Sequence, residues 1–253
     1  MKMIFNLEPS MELLITFLAG LSVLIGAGVI RLTENKRESV EHVSLAMALA
    51  ALLSLLIFDI VPELKETTEG IGLPLTLGMT AAGIILLIIL DRFVPDHEDT
   101  EENHDNENAV HIGLLSALAL IVHNIVEGMS VYSVLGNDLT DGIIFAIGIS
   151  LHNIPMGMMI FSTMATQSKK EKTAVTLAVT LSTLFGGLIM FALSGHLPEV
   201  AVGALLSVAC GMIIYITFLE LLPHVIRTKD RLQSAVGIIL GFGLVLASVL
   251  LGG

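Results

Sequence analysis

The feature that most constrains this chain is a set of long stretches without one ionisable side chain. Residues 13–30, 71–90, 173–195, 200–219 and 232–253 contain no Asp, Glu, Lys, Arg or His. About 20 such residues in a helix, at about 1.5 Å rise each, match the roughly 30 Å hydrocarbon core of a bilayer. No water is available there for backbone N–H and C=O groups, so each run must satisfy its own hydrogen bonds as a helix. Composition agrees: 54% of the 253 residues are hydrophobic and 14% are charged, against about 25% charged in soluble domains. A soluble enzyme is excluded, and the chain reads as an all-α polytopic membrane protein.

Charge-free runs bounded by polar clusters predict eight transmembrane helices, near 11–31, 41–63, 71–92, 111–135, 141–164, 172–195, 198–223 and 232–252, forming one transport domain over 1–253. The first run is expected to be retained rather than cleaved. Only Lys2 precedes it, Glu8 and Glu12 intervene, and its apolar length exceeds a usual signal-peptide core. Lys and Arg set the orientation, because they are held back on the cytoplasmic side. Arg31, Lys36, Arg37, Arg92, Lys169, Lys170, Lys172, Arg227, Lys229 and Arg231 fall in alternate loops, leaving only Lys2 and Lys65 opposite. Both termini are therefore expected outside, and the acidic, His-containing 93–110 loop in the cytoplasm. That loop supplies seven of the 24 acids, so the net charge of -12 is largely local. No basic patch suggests nucleic acid. Cys210 lies in an apolar run and has no partner for an intrachain disulfide.

A short internal repeat adds architecture. Phe58-Asp59-Ile60-Val61-Pro62-Glu63 closes the second helix and Glu220-Leu221-Leu222-Pro223-His224 closes the seventh. Each has an acid three residues before a proline and a polar residue just after it. The two helices end on opposite faces, so the copies are inverted, as in many transporters.

The informative residues are polar ones at membrane depth. The fourth helix carries His123-Asn124-Ile125-Val126-Glu127-Gly128, the fifth His152-Asn153-Ile154-Pro155-Met156-Gly157. Both His-Asn pairs sit at the midpoints of their helices. An ionised carboxylate there costs on the order of 2.5–3.5 kcal/mol even on the lenient insertion scale, so something must offset Glu127. His123 and Glu127 are i and i+4 on one face, and His152 and Met156 repeat that spacing. A connection of about five residues makes the two helices antiparallel neighbours. Facing each other, they offer two imidazoles, a carboxylate, two amide oxygens and a thioether. Pro155 also leaves the Leu151 carbonyl without its helical donor. Imidazole plus carboxylate suits a divalent transition metal such as zinc, iron, cobalt or nickel. Packing histidines and helix-joining asparagines are the alternative; two matched pairs at one depth favour a site.

His-Asn-x-x-Glu-Gly and His-Asn-Ile-Pro-x-Gly resemble the signature of the ZIP (Zrt/Irt-like) metal transporters. So do the eight helices, the outside termini, the His-containing loop and the Asp-x-x-Pro-Glu closing the second helix. The resemblance implies inverted repeats of three helices around the fourth and fifth, a 3+2+3 bundle. It also implies alternating access, a homodimer, and His123, Asn124, Glu127, His152 and Asn153 as ligands. Family members with a two-metal site usually have Glu where this chain has Met156, which leaves a mononuclear site nearest His123, Glu127 and His152. Met156 then either packs as an apolar side chain or offers sulfur to softer ions such as cadmium.

The expected function is passage of divalent cations, zinc foremost with iron, cadmium or manganese as other cargoes, toward the cytoplasm. The metal is substrate, and no cofactor is expected. Asp59, Glu63, Glu220 and His224 are either relays on the way in and out or interfacial residues reaching headgroup water. His97, His104 and His111 are either loop metal ligands or part of a solvated linker, while His42 and His196 fall at helix ends. A sensor that binds without transporting, or an intramembrane metal-dependent hydrolase, are the rival readings. No His-Glu-x-x-His is present to support a site-2-type protease. A prokaryotic cytoplasmic membrane is the expected location.

Overall fold

A computed structural model describes residues 9–32, 37–92, 104–164, 167–193, 198–228 and 230–252. Among these residues there are no strands. Among the described residues, eight helical stretches are long and apolar enough to cross a membrane: Pro9–Leu32, His42–Lys65, Leu73–Asp91, Val110–Asn137, Leu139–Thr163, Lys169–Ala192, Val200–Arg227 and Arg231–Leu250. They are called the first to eighth spans below. The expected eight helices are thus the eight observed, and the protein is an integral membrane protein.

Three boundaries differ from expectation for identifiable reasons. Pro62 and Pro223 do not end their helices. The second span is α-helical over Arg37–Leu55, opens into a π turn over Leu56–Ile60, and resumes as an α-helix over Val61–Ile71. The seventh repeats this plan, with a π turn over Ile216–Leu221 between Glu199–Tyr215 and Leu222–Arg227. The wider turn moves the hydrogen bonds to i→i+5, so the Val61 N–H reaches Leu56 O and the Leu222 N–H reaches Thr217 O. Each proline then falls in the first turn of a new α segment, where its missing N–H costs nothing. The third difference is the helix of the fourth span, which begins at His104 and takes in part of the expected 93–110 loop. Between the second and third spans the chain turns at Gly72, whose φ of 86° only glycine adopts without strain.

Glycines divide the spans into two groups. A side chain at Gly26 would strike the Ile154 carbonyl, and one at Gly157 the Val23 carbonyl, so the first and fifth spans touch backbone to backbone. Gly128 and Gly186 do the same for the fourth and sixth, against Thr183 and Ile125. In the other group, Gly83 and Gly211 join the third and seventh spans, while Gly237 and Gly241 seat the eighth against Val43 and Met47 of the second. Close approach of this kind is how helices gain packing energy where no hydrophobic driving force exists. The first, fourth, fifth and sixth spans form one packed group, and the second with the eighth and the third with the seventh form the remainder. The fifth span crosses to the second and eighth, and the fourth to the seventh.

Candidate metal site

The fourth and fifth spans place their motifs face to face inside the bundle. Oε1 of Glu127 accepts a hydrogen bond from His152 Nε2 at 2.7 Å, and His123 Nε2 approaches the same oxygen at 2.8 Å. The His123 contact lacks hydrogen-bond alignment, so its nitrogens remain unsatisfied, as does Glu127 Oε2. The two rings lie 6.3 Å apart, tilted by 43°. All three residues are buried, with exposures of 3%, 7% and 4% for His123, Glu127 and His152. Their ligand atoms lie within 4.8 Å of one another. Buried polar atoms are nearly always paired. Two imidazole nitrogens and a carboxylate crowded together with unmet bonding capacity therefore form a donor set that a divalent cation would complete.

A cavity of about 130 Å³ leads from this cluster. Asp59 and Glu63 line it from the second span, Val126 and Ser130 from the fourth, Phe145, Gly148 and Ile149 from the fifth, and Ser248 from the eighth. These positions lie toward the end of the second, fourth and eighth spans and toward the start of the fifth. In an alternating bundle those ends share one face, so the cavity reaches from mid-span toward that face alone. The π turn contributes directly: it carries Asp59 and Phe58 into the cavity lining.

Residues 95–248 match the family described as ZIP Zinc transporter. The chain belongs to that family. The "Zinc transporter ZupT" of Chlorobium phaeovibrioides is 31% identical over 94% of this chain and 97% of its own length. That of Corynebacterium aurimucosum is 32% identical, covering 94% and 95%, and that of Streptococcus mutans 29%, covering 94% and 96%. The ZIP resemblance carried by the two His-Asn motifs is thus the family found.

The remaining candidate residues of this ZIP protein are placed less uniformly. Asn124 turns its carboxamide to the sixth span, donating from Nδ2 to Val179 O at 3.2 Å, while its Oδ1 stays without a partner. Both polar atoms of Asn153 are buried without a partner. Met156, 1% exposed, packs in the apolar core with residues such as Met159 and Ile160. None of these three lines the cavity. His97 and His196 lie outside the described residues, as does the side chain of His104. His42 is partly buried near the start of the second span, with Nδ1 unpartnered.

A second cluster lies at the opposite end of the bundle. His111 Nε2 stands 2.6 Å from Asp91 Oδ1, and with Glu220 they form another group whose ligand atoms lie within 4.8 Å of one another. The Tyr215 hydroxyl is within hydrogen-bonding reach of both carboxylates. His224 follows Glu220 on the helix and is not in the group. Asp91 is the residue that sequence reasoning passed over. Its signal was an acid closing a charge-free run at the same end of the bundle as His111.

Proposed function

We propose that this ZIP protein carries divalent transition-metal cations, zinc foremost, into the cytoplasm of a bacterial cell by alternating access through His123, Glu127 and His152. The observation that carries the reading is the convergence of two imidazole nitrogens and one carboxylate oxygen, buried at mid-span, at the inner end of a one-sided cavity. The distribution of basic loops supports an outside position for that cavity's face and for both termini. Asp59 and Glu63 then meet the incoming ion first, and their charge concentrates cations at the mouth.

Glu127 alone would leave a bound divalent ion with a net charge of about +1. Asp59 lines the same cavity and offsets part of that charge through space. Three protein ligands leave a coordination position for water, so the ion need shed only part of its hydration shell. Asn124 and Asn153 complete the family's ligand set if the asparagines turn inward during transport, and Met156 acts as packing in the state described. Asp91, His111 and Glu220 receive the ion on the cytoplasmic side, with His224 beside them, so release runs from one carboxylate–imidazole cluster to another. Metal is substrate throughout, and no bond of an organic substrate is broken.

The division of the spans supports an elevator movement. The first, fourth, fifth and sixth spans carry the site, and their glycine contacts hold them as one body. The π turns of the second and seventh spans each carry an acid, Asp59 and Glu220, which supports the inverted-repeat reading. A homodimer rests on the family resemblance alone. Zinc and cadmium flux into proteoliposomes holding an internal metal dye tests the whole proposal. Saturable flux that His123→Ala abolishes is expected; folded, metal-binding protein without flux would return the sensor reading.

A further inference from the structure

The eighth span touches the site-bearing group at a position with specific chemistry. Ser248 Oγ donates to the Gly148 carbonyl on the fifth span at 2.7 Å. Ser248 is 8% exposed, and both residues line the cavity. In an α-helix the carbonyl of residue 148 also accepts the N–H of residue 152, so the bond lands one turn before His152, on the hydrogen-bond ladder that holds its backbone. A Cβ on residue 148 would come within 3.1 Å of Ser248 Oγ, so alanine there would crowd the hydroxyl and push it from its present place.

Another cross-group hydroxyl contact, Ser44 Oγ to Ser162 Oγ at 3.0 Å, lies toward the other end of the fifth span. Ser44 also donates to Val40 O in its own helix at 2.7 Å, and one hydroxyl has one proton to give. The Ser248 bond is drawn entirely across the groups. We infer that Ser248 is a positioning residue for transport: its hydrogen bond to Gly148 latches the fifth span to the eighth in the cavity-open state and must break when the site moves inward. This rests on the alternating access proposed above. The latch holds no metal; it sets how long the ligand-bearing helix waits facing the cavity.

Ser130→Cys puts a reporter thiol on the cavity wall. Cys210, the only cysteine in the sequence, is buried, and the parent protein sets the labelling background. In metal-free proteoliposomes, the labelling rate with an impermeant maleimide reads the open population. One interhelical hydrogen bond in a membrane is worth about a threefold change in the open–closed equilibrium constant, so Ser248→Ala should lower the rate by up to about threefold. Gly148→Ala, which displaces the hydroxyl, should lower it similarly, and adding Ser248→Ala to it should cause no further fall, since both remove one interaction. Unchanged or faster labelling in Ser248→Ala, or effects that add in the double variant, overturn the latch. A purely structural role would lower the melting temperature without this coupling. Wild-type flux is measured alongside. Its absence would defeat the transport reading, whereas normal flux with unaltered accessibility would defeat the latch alone.

Discussion

Glu127 Oε1 stands within 2.8 Å of two imidazole nitrogens, and it carries the negative charge nearest both rings. Glu127→Gln keeps the shape and removes the charge. Affinity for zinc should fall at least 10–100-fold, the range seen when even outer-sphere partners of a metal are lost. Isothermal titration in detergent would check this, and unchanged affinity would remove Glu127 from the ligand set. Asp59→Asn should weaken binding by a smaller factor, because Asp59 acts across the cavity rather than by direct contact. At the opposite end, Asp91→Asn should slow release while leaving zinc affinity at the mid-span site within about twofold. Pre-steady-state flux separates the two effects. At this scale helical spacing alone puts His123 and Glu127 on one face, and the structure brings His152 of the next span to them. The sequence was a poor guide to Asp91, whose meaning depends on a neighbour in another span.

Span number followed from sequence because each charge-free run must be a helix in lipid. The π turns did not, because nothing local distinguishes a proline that ends a helix from one that follows a widened turn. They matter because an i→i+5 turn rotates the residues after it relative to those before it. Asp59 lies inside such a turn. Pro62→Ala restores a donor and invites the helix back to regular α geometry, which would turn Asp59 away from its present place in the cavity. Flux should drop several-fold with little change in melting temperature; a variant with full activity would show that the turn is incidental. The glycine contacts give the converse expectation. Gly157→Ala forces a methyl group against the Val23 carbonyl and should cost about 1–3 kcal/mol, the usual range for overpacking. Thermal denaturation in detergent would measure it.

At the scale of the whole molecule, the two groups of spans meet along the fifth and fourth spans. The polar contacts between them include Ser44–Ser162, Ser248–Gly148 and His111–Asp91. Replacing Ser44 and Ser162 by cysteine should allow a disulfide that joins the groups and stops flux until it is reduced, without loss of zinc binding. A bridge between Thr16 and Gly187 positions, inside one group and already in van der Waals proximity, should leave flux intact. Full flux with the Ser44–Ser162 positions locked would sink the elevator. Helical periodicity reports which face of a span is polar, but not which spans share a rigid body. That division became visible only through backbone approaches between residues such as Gly128 and Thr183, distant in sequence.

The same approaches bear on how the chain would come apart under load. The first and eighth spans belong to different groups, and each is held by glycine-to-carbonyl contacts, the eighth at Gly237 and Gly241. Pulled from the membrane by its C-terminus with a cantilever tip, the eighth span should leave only after its seam with the second yields. The first, fourth, fifth and sixth spans should then resist as a unit. The expected force curve has few, tall peaks rather than eight small ones, a mechanical signature written by where a side chain is missing.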